Sequence, residues 1–325
     1  MSHSSHRPIA RFTDTRIARK ASPWYRMLMR DLCVHRTLYL YLVPAVLVIF
    51  LFHYIPIYGI QIAFRDFKPV KGIFGSPWVG FKHFERFFGS YQFQSLLLNT
   101  LSLSTMSIVL NFPFPIIMAL MVSQVRNKRF QRIAQTVTYM PHFISTVVMV
   151  GIIIMFLSPN SGLYGNLVRL FGGKPDNLMA NPRLFRPIYV LTDMWQHSGW
   201  DSIIYIAALS AVDTQLYDAA MVDGAGRFKR IVHIDLPCIL PTIVILLILR
   251  MGNVMSVGFE KAFLMQNTLN ITTSEIISTY VYKIGLQKQQ YSYSAAIDVF
   301  NIAINSVLLI SVNAISKRVS DTGLW

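Results

Sequence analysis

The side chains that could catalyse a reaction or bind a metal are scattered along this 325-residue sequence. The two cysteines, Cys33 and Cys238, form no metal-ligand pattern and imply no disulfide. The histidines show no helical ligand spacing such as His-Glu-x-x-His, which zinc enzymes use. The chain has eight histidines, and the scattered ones considered as ligands are His35, His53, His142, His197 and His233. The sequence therefore predicts no catalytic residue, no metal site and no cofactor bound by this chain.

One stretch, Gly172-Gly173-Lys174-Pro175, contains the Gly-Lys pair of a phosphate-binding loop. Val168 stands where the first glycine of that loop belongs, and Pro175 stands where Ser or Thr belongs. We interpret the stretch as a turn. The chain itself is therefore not expected to hydrolyse ATP.

The composition indicates a membrane protein. Hydrophobic residues make up 53% of the chain and charged residues only 14%, whereas soluble domains average about 25% charged residues. Lipid must therefore cover much of the surface. The net charge of +15 could also suggest nucleic acid as a partner, but the basic residues lie at the ends of apolar segments and in the N-terminal tail. We predict an all-α membrane protein that is surrounded by membrane lipid. Nucleic acid is not an expected partner.

Six apolar runs are candidates for helices that cross a hydrocarbon core of ~30 Å. The fourth run is the weakest because Asp193, His197 and Asp201 lie within it. In the second run, Pro113 and Pro115 predict a bend. The runs cover residues 38–58, 96–122, 133–157, 187–212, 236–259 and 295–315.

Basic residues at the ends of these runs predict the topology. The tail 1–36 is rich in Lys and Arg, and the short connection 123–132 contains basic residues and no acid, which is typical of the cytoplasmic side. Six spans then place both termini in the cytoplasm. The predicted organisation is a tail 1–36, a six-helix transmembrane domain 37–316 and a C-terminal tail 317–325. Residues 24–32 could form a surface amphipathic helix or a solvated tail, and residues 81–88 read as a short interfacial helix.

The cytoplasmic loop 213–237 between the fourth and fifth runs has the pattern of a helix–turn–helix. Asp213 or Thr214 can cap a first helix, and two alanines give that helix a small, smooth surface. Gly224 permits a sharp turn, and a second helix is expected over 227–234. The residues alone leave two readings open: an element inserted into a groove on a partner, or an amphipathic connector.

This loop resembles the EAA motif of ABC importer permeases, which reads Glu-Ala-Ala, then a glycine, then Ile-x-Leu-Pro. The departure from the motif is Asp218 in place of Glu, which keeps the charge and shortens the reach. Phe228 and Ile231 match the apolar positions in between. The residues that the resemblance assigns to ATPase coupling are Asp218, Ala219, Ala220, Asp223, Gly224, Phe228, Ile234, Leu236 and Pro237.

The resemblance implies the type I ABC importer permease fold in the bacterial cytoplasmic (inner) membrane, with residues 37–316 as the permease domain. It implies that the loop forms a coupling helix that docks on a cytoplasmic ATPase. The implied partners are a second, MalG-like permease subunit, two ATP-binding cassette subunits that bind ATP and Mg, and an extracytoplasmic solute-binding protein.

Along nearly the whole chain the sequence is most similar to the MalF-like sugar permeases, in the branch related to permeases for complex oligosaccharides. This similarity implies oligosaccharide import, including uronate sugars of the alginate type. The stretches that support it include Ser76-Pro77-Trp78-Val79-Gly80-Phe81, Ser158-Pro159-Asn160-Ser161-Gly162-Leu163 and Tyr291-Ser292-Tyr293-Ser294-Ala295-Ala296. The large extra periplasmic domain of the maltose permease is missing.

Arg250 is the main candidate for the substrate path because an unpaired cation inside a span is expensive. It could bind a substrate carboxylate, or it could pair with Asp298, Glu260 or the second permease. The pore asparagines could instead form helix–helix hydrogen bonds, and Trp195 could mark an interface. The candidates are Arg250, Asn253, Asn111, Asn301, Asn305 and Trp195.

The rival hypothesis is a secondary sugar transporter or channel that works without ATP. Such a protein needs carboxylates at mid-membrane or inverted repeats. Asp201 and Asp298 are the only plausible acids, and no repeat is evident.

Overall fold

The computed structural model describes residues 34–320 and 322–325. Residues 24–32, for which a surface helix or a solvated tail was considered, lie outside them. The chain divides into two units, Met1–Gly59 and Ile60–Trp325. Within the described residues the secondary structure is helical apart from one isolated antiparallel bridge between Arg65 and Trp78. This agrees with the predicted all-α class.

The first predicted span, 38–58, lies in the helix Arg36–Phe64. In the first unit this helix comprises α1 (Arg36–Ile49), a π-helical turn (Phe50–Tyr54) and α2 (Ile55–Ile57). A 3-10 stretch, Tyr58–Phe64, follows.

The second unit begins with two short helical segments and then enters the second span. The segments are the 3-10 turn Pro69–Lys71 and α3 (Gly72–Gly75), and α4 (Lys82–Phe88) matches the predicted interfacial helix. The second span comprises α5 (Phe93–Asn111) and α6 (Pro113–Ser123), which together form one 31-residue helix. The predicted bend is reduced to an interruption at Phe112, whose backbone stays helical. Pro113 is tolerated because it opens α6, where a missing N–H costs little.

The third predicted span, 133–157, is a bent pair of helices and not a continuous rod. α7 (Lys128–Tyr139) leads through the 3-10 turn Met140–Phe143 into α8 (Thr146–Phe156), and the pair is bent by 97°. Pro141 cannot continue a helix, and Ser145 caps the new one by accepting a hydrogen bond from the Val148 N–H.

The fourth predicted span corresponds to α10 (Pro182–Ser210), a 29-residue helix capped by Asn181. It follows α9 (Leu163–Leu170) and the 3-10 turn Leu178–Ala180. α10 is long enough to cross a membrane, but its polar residues lower its hydropathy, so it is not among the helices apolar enough to count as candidate spans. Four described helices are long and apolar enough to cross a membrane, or five if the bent pair counts as one span. The count of six spans and the side of the termini stay predictions.

The fifth span begins and ends earlier than predicted. The expected separate helix at 227–234 is continuous with it, because α12 (Arg227–Arg230), a π-helical turn (Ile231–Asp235) and α13 (Leu236–Met251) form one helix, Arg227–Met251. The span ends at Met251, where Gly252 follows, and does not reach Phe259.

Four helical segments and the last span complete the chain. α14 (Phe259–Met265), α15 (Ile271–Ser274), α16 (Ile277–Tyr282) and the π-helical turn Lys283–Gln287 precede α17 (Tyr291–Ser320). A buried core joins the second span, the bent third span and the fourth span to the segment between α14 and α16. Its members include Leu103, Val150, Tyr189, Ala262 and Ile276.

Candidate functional site

Two neighbouring cavities open between the second, fourth and fifth spans. The first, which we name the polar cavity, has a volume of about 270 Å³ and is lined by Ser104, Ser107, Tyr189, Asp193, His197, Asp201, Arg250, Asn253 and Ser256, among others. The second, the adjoining cavity, has a volume of about 410 Å³ and a more apolar wall that includes Asn111, Phe112, Tyr205, Leu246 and Leu249. Asp201, Arg250 and Asn253 line both cavities, so the two form one connected candidate site.

Arg250 is an exposed cation at the boundary between these cavities. It lies in the last turn of α13. Within the described residues no ion pair joins it to Asp298 or Glu260, and Asp298 lines a different pocket beside Tyr282 and Tyr291. Among the described residues Arg250 therefore pairs with neither of the two acids considered for it, and it lines both cavities.

Asp193 is the centre of a polar cluster on the wall of the polar cavity. The Asn111 amide donates to its Oδ2 at 2.9 Å, and the Lys261 ammonium lies 3.4 Å from its Oδ1. His197 Nδ1 lies 3.4 Å from the same oxygen. Lys261 is only 4% exposed and also donates to the backbone oxygen of Tyr189 at 3.2 Å. The cluster therefore compensates the charge of Asp193 within the protein and leaves Arg250 and Asp201 facing the cavity space.

The predicted path residues divide into two groups. Arg250, Asn253 and Asn111 are brought together around the two cavities. Asn305 is a helix–loop contact, because it accepts a hydrogen bond from the Met255 N–H at 2.9 Å and donates to Ser256 Oγ at 3.0 Å. Asn301 is buried and Trp195 is exposed, and neither lines the polar or the adjoining cavity.

Four residues of the site, Asp193, His197, Asp201 and Lys261, were not among the predicted site residues. The first three caused the weak apolar signal of run four, and that weakness was the available indication that this helix faces a polar space. Lys261 gave no comparable signal, because it lies outside the predicted spans and 68 positions from its partner.

The loop 213–237 begins with a compact helix that has a defined start. α11 (Thr214–Val222) is capped by Asp213, whose side chain accepts a hydrogen bond from the Gln215 N–H at 2.9 Å. This confirms the predicted cap.

The end of α11 explains why a glycine follows the two alanines at this distance. The Ala225 N–H donates to the Ala220 oxygen at 2.8 Å, and the Gly224 N–H donates to the Met221 oxygen at 3.1 Å. This pair of bonds is a Schellman motif, which needs a left-handed residue after the helix. Gly224 supplies it with φ +74°.

Apolar side chains of the loop are exposed to solvent in this chain. Val222 is 88% exposed and Phe228 is 78% exposed, and Leu216 and Met221 are also exposed. The acidic residues Asp218 and Asp223 stand exposed beside them. An apolar surface bordered by charges is typical of a protein contact. Ile234 lies in a shallow groove beneath this surface, and Leu236 and Pro237 open α13.

Below the exposed surface, Asp235 is buried and connects three helices. The Tyr217 hydroxyl of α11 donates to Asp235 Oδ1, and the Gln124 amide donates to Oδ2 at 3.0 Å. Burial and the neighbouring carboxylate raise the pKa of the Tyr217 phenol well above its ordinary value, so this hydroxyl stays a donor.

Comparison with known proteins connects both regions of the chain to transport. A family model described as "Binding-protein-dependent transport system inner membrane component" matches residues 111–321, which include α11 and most of both cavities. The polygalacturonan/rhamnogalacturonan transport system permease protein YteP of Bacillus subtilis is 42% identical over 300 residues, which is 92% of this chain and 94% of that protein.

Two crystal structures have the same fold. A bacterial ABC transporter involved in the import of the acidic polysaccharide alginate contains a chain with a TM-score of 0.84 and 38% identity, covering 90% of this chain and 99% of that one. The bacterial alginate ABC transporter in complex with alginate pentasaccharide-bound periplasmic protein contains a chain with a TM-score of 0.84 and 37% identity. That match covers 93% of this chain and 100% of the other.

Proposed function

Because the chain belongs to the family of binding-protein-dependent transport system inner membrane components, we propose that it is a membrane subunit of an ATP-driven oligosaccharide importer. A second, MalG-like permease completes the pathway, and two ATP-binding cassette subunits bind and hydrolyse ATP. An extracytoplasmic solute-binding protein delivers the sugar. Substrate then passes by alternating access through the cavities around Arg250.

The observation that carries the proposal is the geometry of the loop 213–237. The Schellman turn at Gly224 fixes the end of α11, and exposed apolar residues lie beside that turn without a partner in the described part of the chain. A short, rigid helix with such a surface suits docking into a cleft of an ATPase subunit. The contact residues in this proposal are Asp218, Ala219, Ala220, Asp223, Gly224, Phe228, Ile234, Leu236 and Pro237.

In the proposed topology the bent pair α7–α8 is the third span and α10 is the fourth. Six spans then leave the tail 1–36, the loop 213–237 and residues 317–325 in the cytoplasm. The basic connection that contains Arg126 and Arg129 supports this orientation, because such loops stay on the cytoplasmic side.

We propose further that the sugar is acidic, of the uronate or alginate type. The relatives named above are a permease protein of a polygalacturonan/rhamnogalacturonan transport system and an ABC transporter involved in alginate import. In this chain Lys261 compensates Asp193, and Arg250 remains open to both cavities without an ion pair among the described residues. An open guanidinium can bind a carboxylate through two parallel hydrogen bonds. Asn253 and Asn111 offer amide groups to sugar hydroxyls.

The coupling proposal is tested by a pair of glycine variants in the assembled transporter. Gly224→Val forces a β-branched residue into φ +74° and breaks the turn, although an added Cβ meets nothing within 4 Å. Gly226→Ala is the matched control, because its φ of −66° suits alanine and its Cβ also meets nothing within 4 Å. We expect Gly224→Val to lose co-purification with the ATPase and sugar uptake, and Gly226→Ala to keep both. Intact association and uptake in Gly224→Val would show that the coupling assignment is wrong.

The substrate proposal is tested by ATPase stimulation in proteoliposomes. Binding protein loaded with uronate oligosaccharides is expected to stimulate hydrolysis, and Arg250→Gln is expected to reduce this response about tenfold, the scale of one charge-assisted hydrogen bond. Lys128→Gln removes the same charge from an exposed helix start and serves as the control. Stimulation by neutral oligosaccharides alone would contradict the acidic-sugar proposal. Uptake that needs no ATPase at all would favour the secondary transporter.

A further inference from the structure

A single buried carboxylate links the cytoplasmic helix α11 to two membrane helices. Asp235 is 1% exposed, and each of its oxygens accepts one hydrogen bond. One bond comes from the Tyr217 hydroxyl of α11, and the other comes from the Gln124 amide, at 3.0 Å, at the end of α6. Hydrogen bonds are directional, so two of them on one buried side chain favour a fixed arrangement of the three helices.

A local irregularity of the backbone accompanies these hydrogen bonds. Residues Ile231–Asp235 form a π-helical turn between α12 and α13. A π turn holds one residue more than an α turn and so rotates the residues that follow it relative to those before it. Asp235 is the last residue of this turn, and its side chain meets Tyr217 from one side and Gln124 from the other.

Two of the helices joined at Asp235 also carry cavity residues. Arg250 lies 15 positions after Asp235 in the same continuous helix, about 22 Å away at 1.5 Å per residue. Asn111 lies 13 positions before Gln124 in the second span, about 20 Å away. A movement of α11 that is carried through Asp235 would therefore reach two residues that line the adjoining cavity, Arg250 and Asn111.

We infer that Tyr217, Asp235 and Gln124 act as positioning residues that transmit movement of α11 to the second and fifth spans. None of the three side chains needs to touch ATP or sugar. The inference rests on the proposed function, because it assumes that an ATPase moves α11. It assigns to the Tyr217 hydroxyl a role in coupling that the exposed docking residues cannot perform, since they do not reach the carboxylate.

The test compares Tyr217→Phe with wild type in the complete transporter, with binding protein and sugar present. Tyr217→Phe removes one hydroxyl and keeps the ring, and Tyr91→Phe, at an exposed tyrosine, is the control. We expect Tyr217→Phe to co-purify with the ATPase and to hydrolyse ATP at near the normal rate. Sugar imported per ATP hydrolysed is expected to fall about tenfold, the scale for one bond to a charged acceptor.

Variants of Asp235 supply the rescue. Asp235→Asn keeps an oxygen for Tyr217, and a rotated Gln124 amide can accept from the new amide, so most of the coupling ratio is expected to remain. Asp235→Leu accepts neither bond and is expected to uncouple hydrolysis from import. Adding Tyr217→Phe to Asp235→Leu is expected to cause no further loss, because both changes remove the same bond.

The outcomes separate this inference from the proposed function. If the wild-type complex imports sugar with ATP and Tyr217→Phe keeps the normal ratio of sugar to ATP, the inference is wrong and the proposed function stands. Loss of ATPase association in Tyr217→Phe would also overturn it, because Tyr217 would then only shape the docking surface. If the wild-type chain neither binds an ATPase nor imports sugar with ATP, the proposed function itself fails.

Discussion

The ion pair between Lys261 and Asp193 is expected to determine the stability of the cavity wall. Lys261→Met removes an ammonium that is 4% exposed and leaves Asp193, which is 20% exposed, with its contacts to Asn111 and His197. Breaking a buried pair costs about 3–5 kcal/mol, and the partial exposure of Asp193 to the cavity lowers this to about 2 kcal/mol. At about 2 °C per kcal/mol for a large domain, the midpoint of unfolding should fall by about 4 °C.

The assay is thermal unfolding of the transporter complex purified in detergent, and the double variant is the decisive measurement. Asp193→Asn combined with Lys261→Met removes both charges of the pair and leaves neither one unpaired, so we expect it to recover about half of the loss. Lys283→Met breaks the more exposed pair with Glu275, in which the lysine is 25% exposed, and should cost about 1 kcal/mol or less. The reasoning is refuted if Lys261→Met unfolds at the wild-type temperature, or if the double variant shows the sum of two separate losses.

Three further perturbations probe other parts of the molecule. Gly199→Ala should abolish folded protein, because its Cβ would lie 2.0 Å from the Thr138 backbone oxygen, whereas Gly151→Ala meets nothing within 4 Å and should accumulate normally in membranes. Asp213→Ala should lower the stability of α11 by about 1 kcal/mol through loss of its cap, and Asp213→Ser should restore it, as measured by protease sensitivity of the loop. Burial lowers the pKa of His83 below 6.5, so the stability that neutral His83 provides is present above that pH and falls as the pH drops below it. His83→Gln should flatten the decline in melting temperature below pH 6.5, and an unchanged acid decline would contradict this assignment.

The elements that the sequence predicted best are those with local signals. Asp213 begins α11 and Gly224 ends it through contacts with near neighbours in the chain, so residue type and spacing were enough to predict both ends of the helix. The first and last apolar runs lie within described helices for the same reason. The break in the third span was not predicted, although Pro141 lies just before it, because apolar composition alone does not distinguish a straight span from a bent pair.

The candidate site was only partly predictable because its members meet across long separations. Arg250 was identified by its cost inside a span, and the structure brings it together with Asn253 and Asn111. Asp193 contacts Asn111, which is 82 positions away in the sequence, and Lys261, which is 68 positions away. No local sequence pattern predicts such pairs. Asn301 and Asn305 have the same residue type as Asn111 but a different environment, which only the packing of α17 decides.

The turn at Gly224 keeps the shape of the loop independent of its exposed side chains. The ends of α11 are fixed by a capping side chain and by backbone hydrogen bonds, and the exposed side chains of Leu216, Met221, Val222 and Phe228 take no part in either. The shape of the element and its chemical identity are therefore separable properties. Under the proposed function, substitutions on the outer surface would redirect the chain to another ATPase subunit while the backbone geometry of the loop stays the same. The outer side chains of the loop would then determine which partner it binds, and its backbone would keep the same shape for each partner.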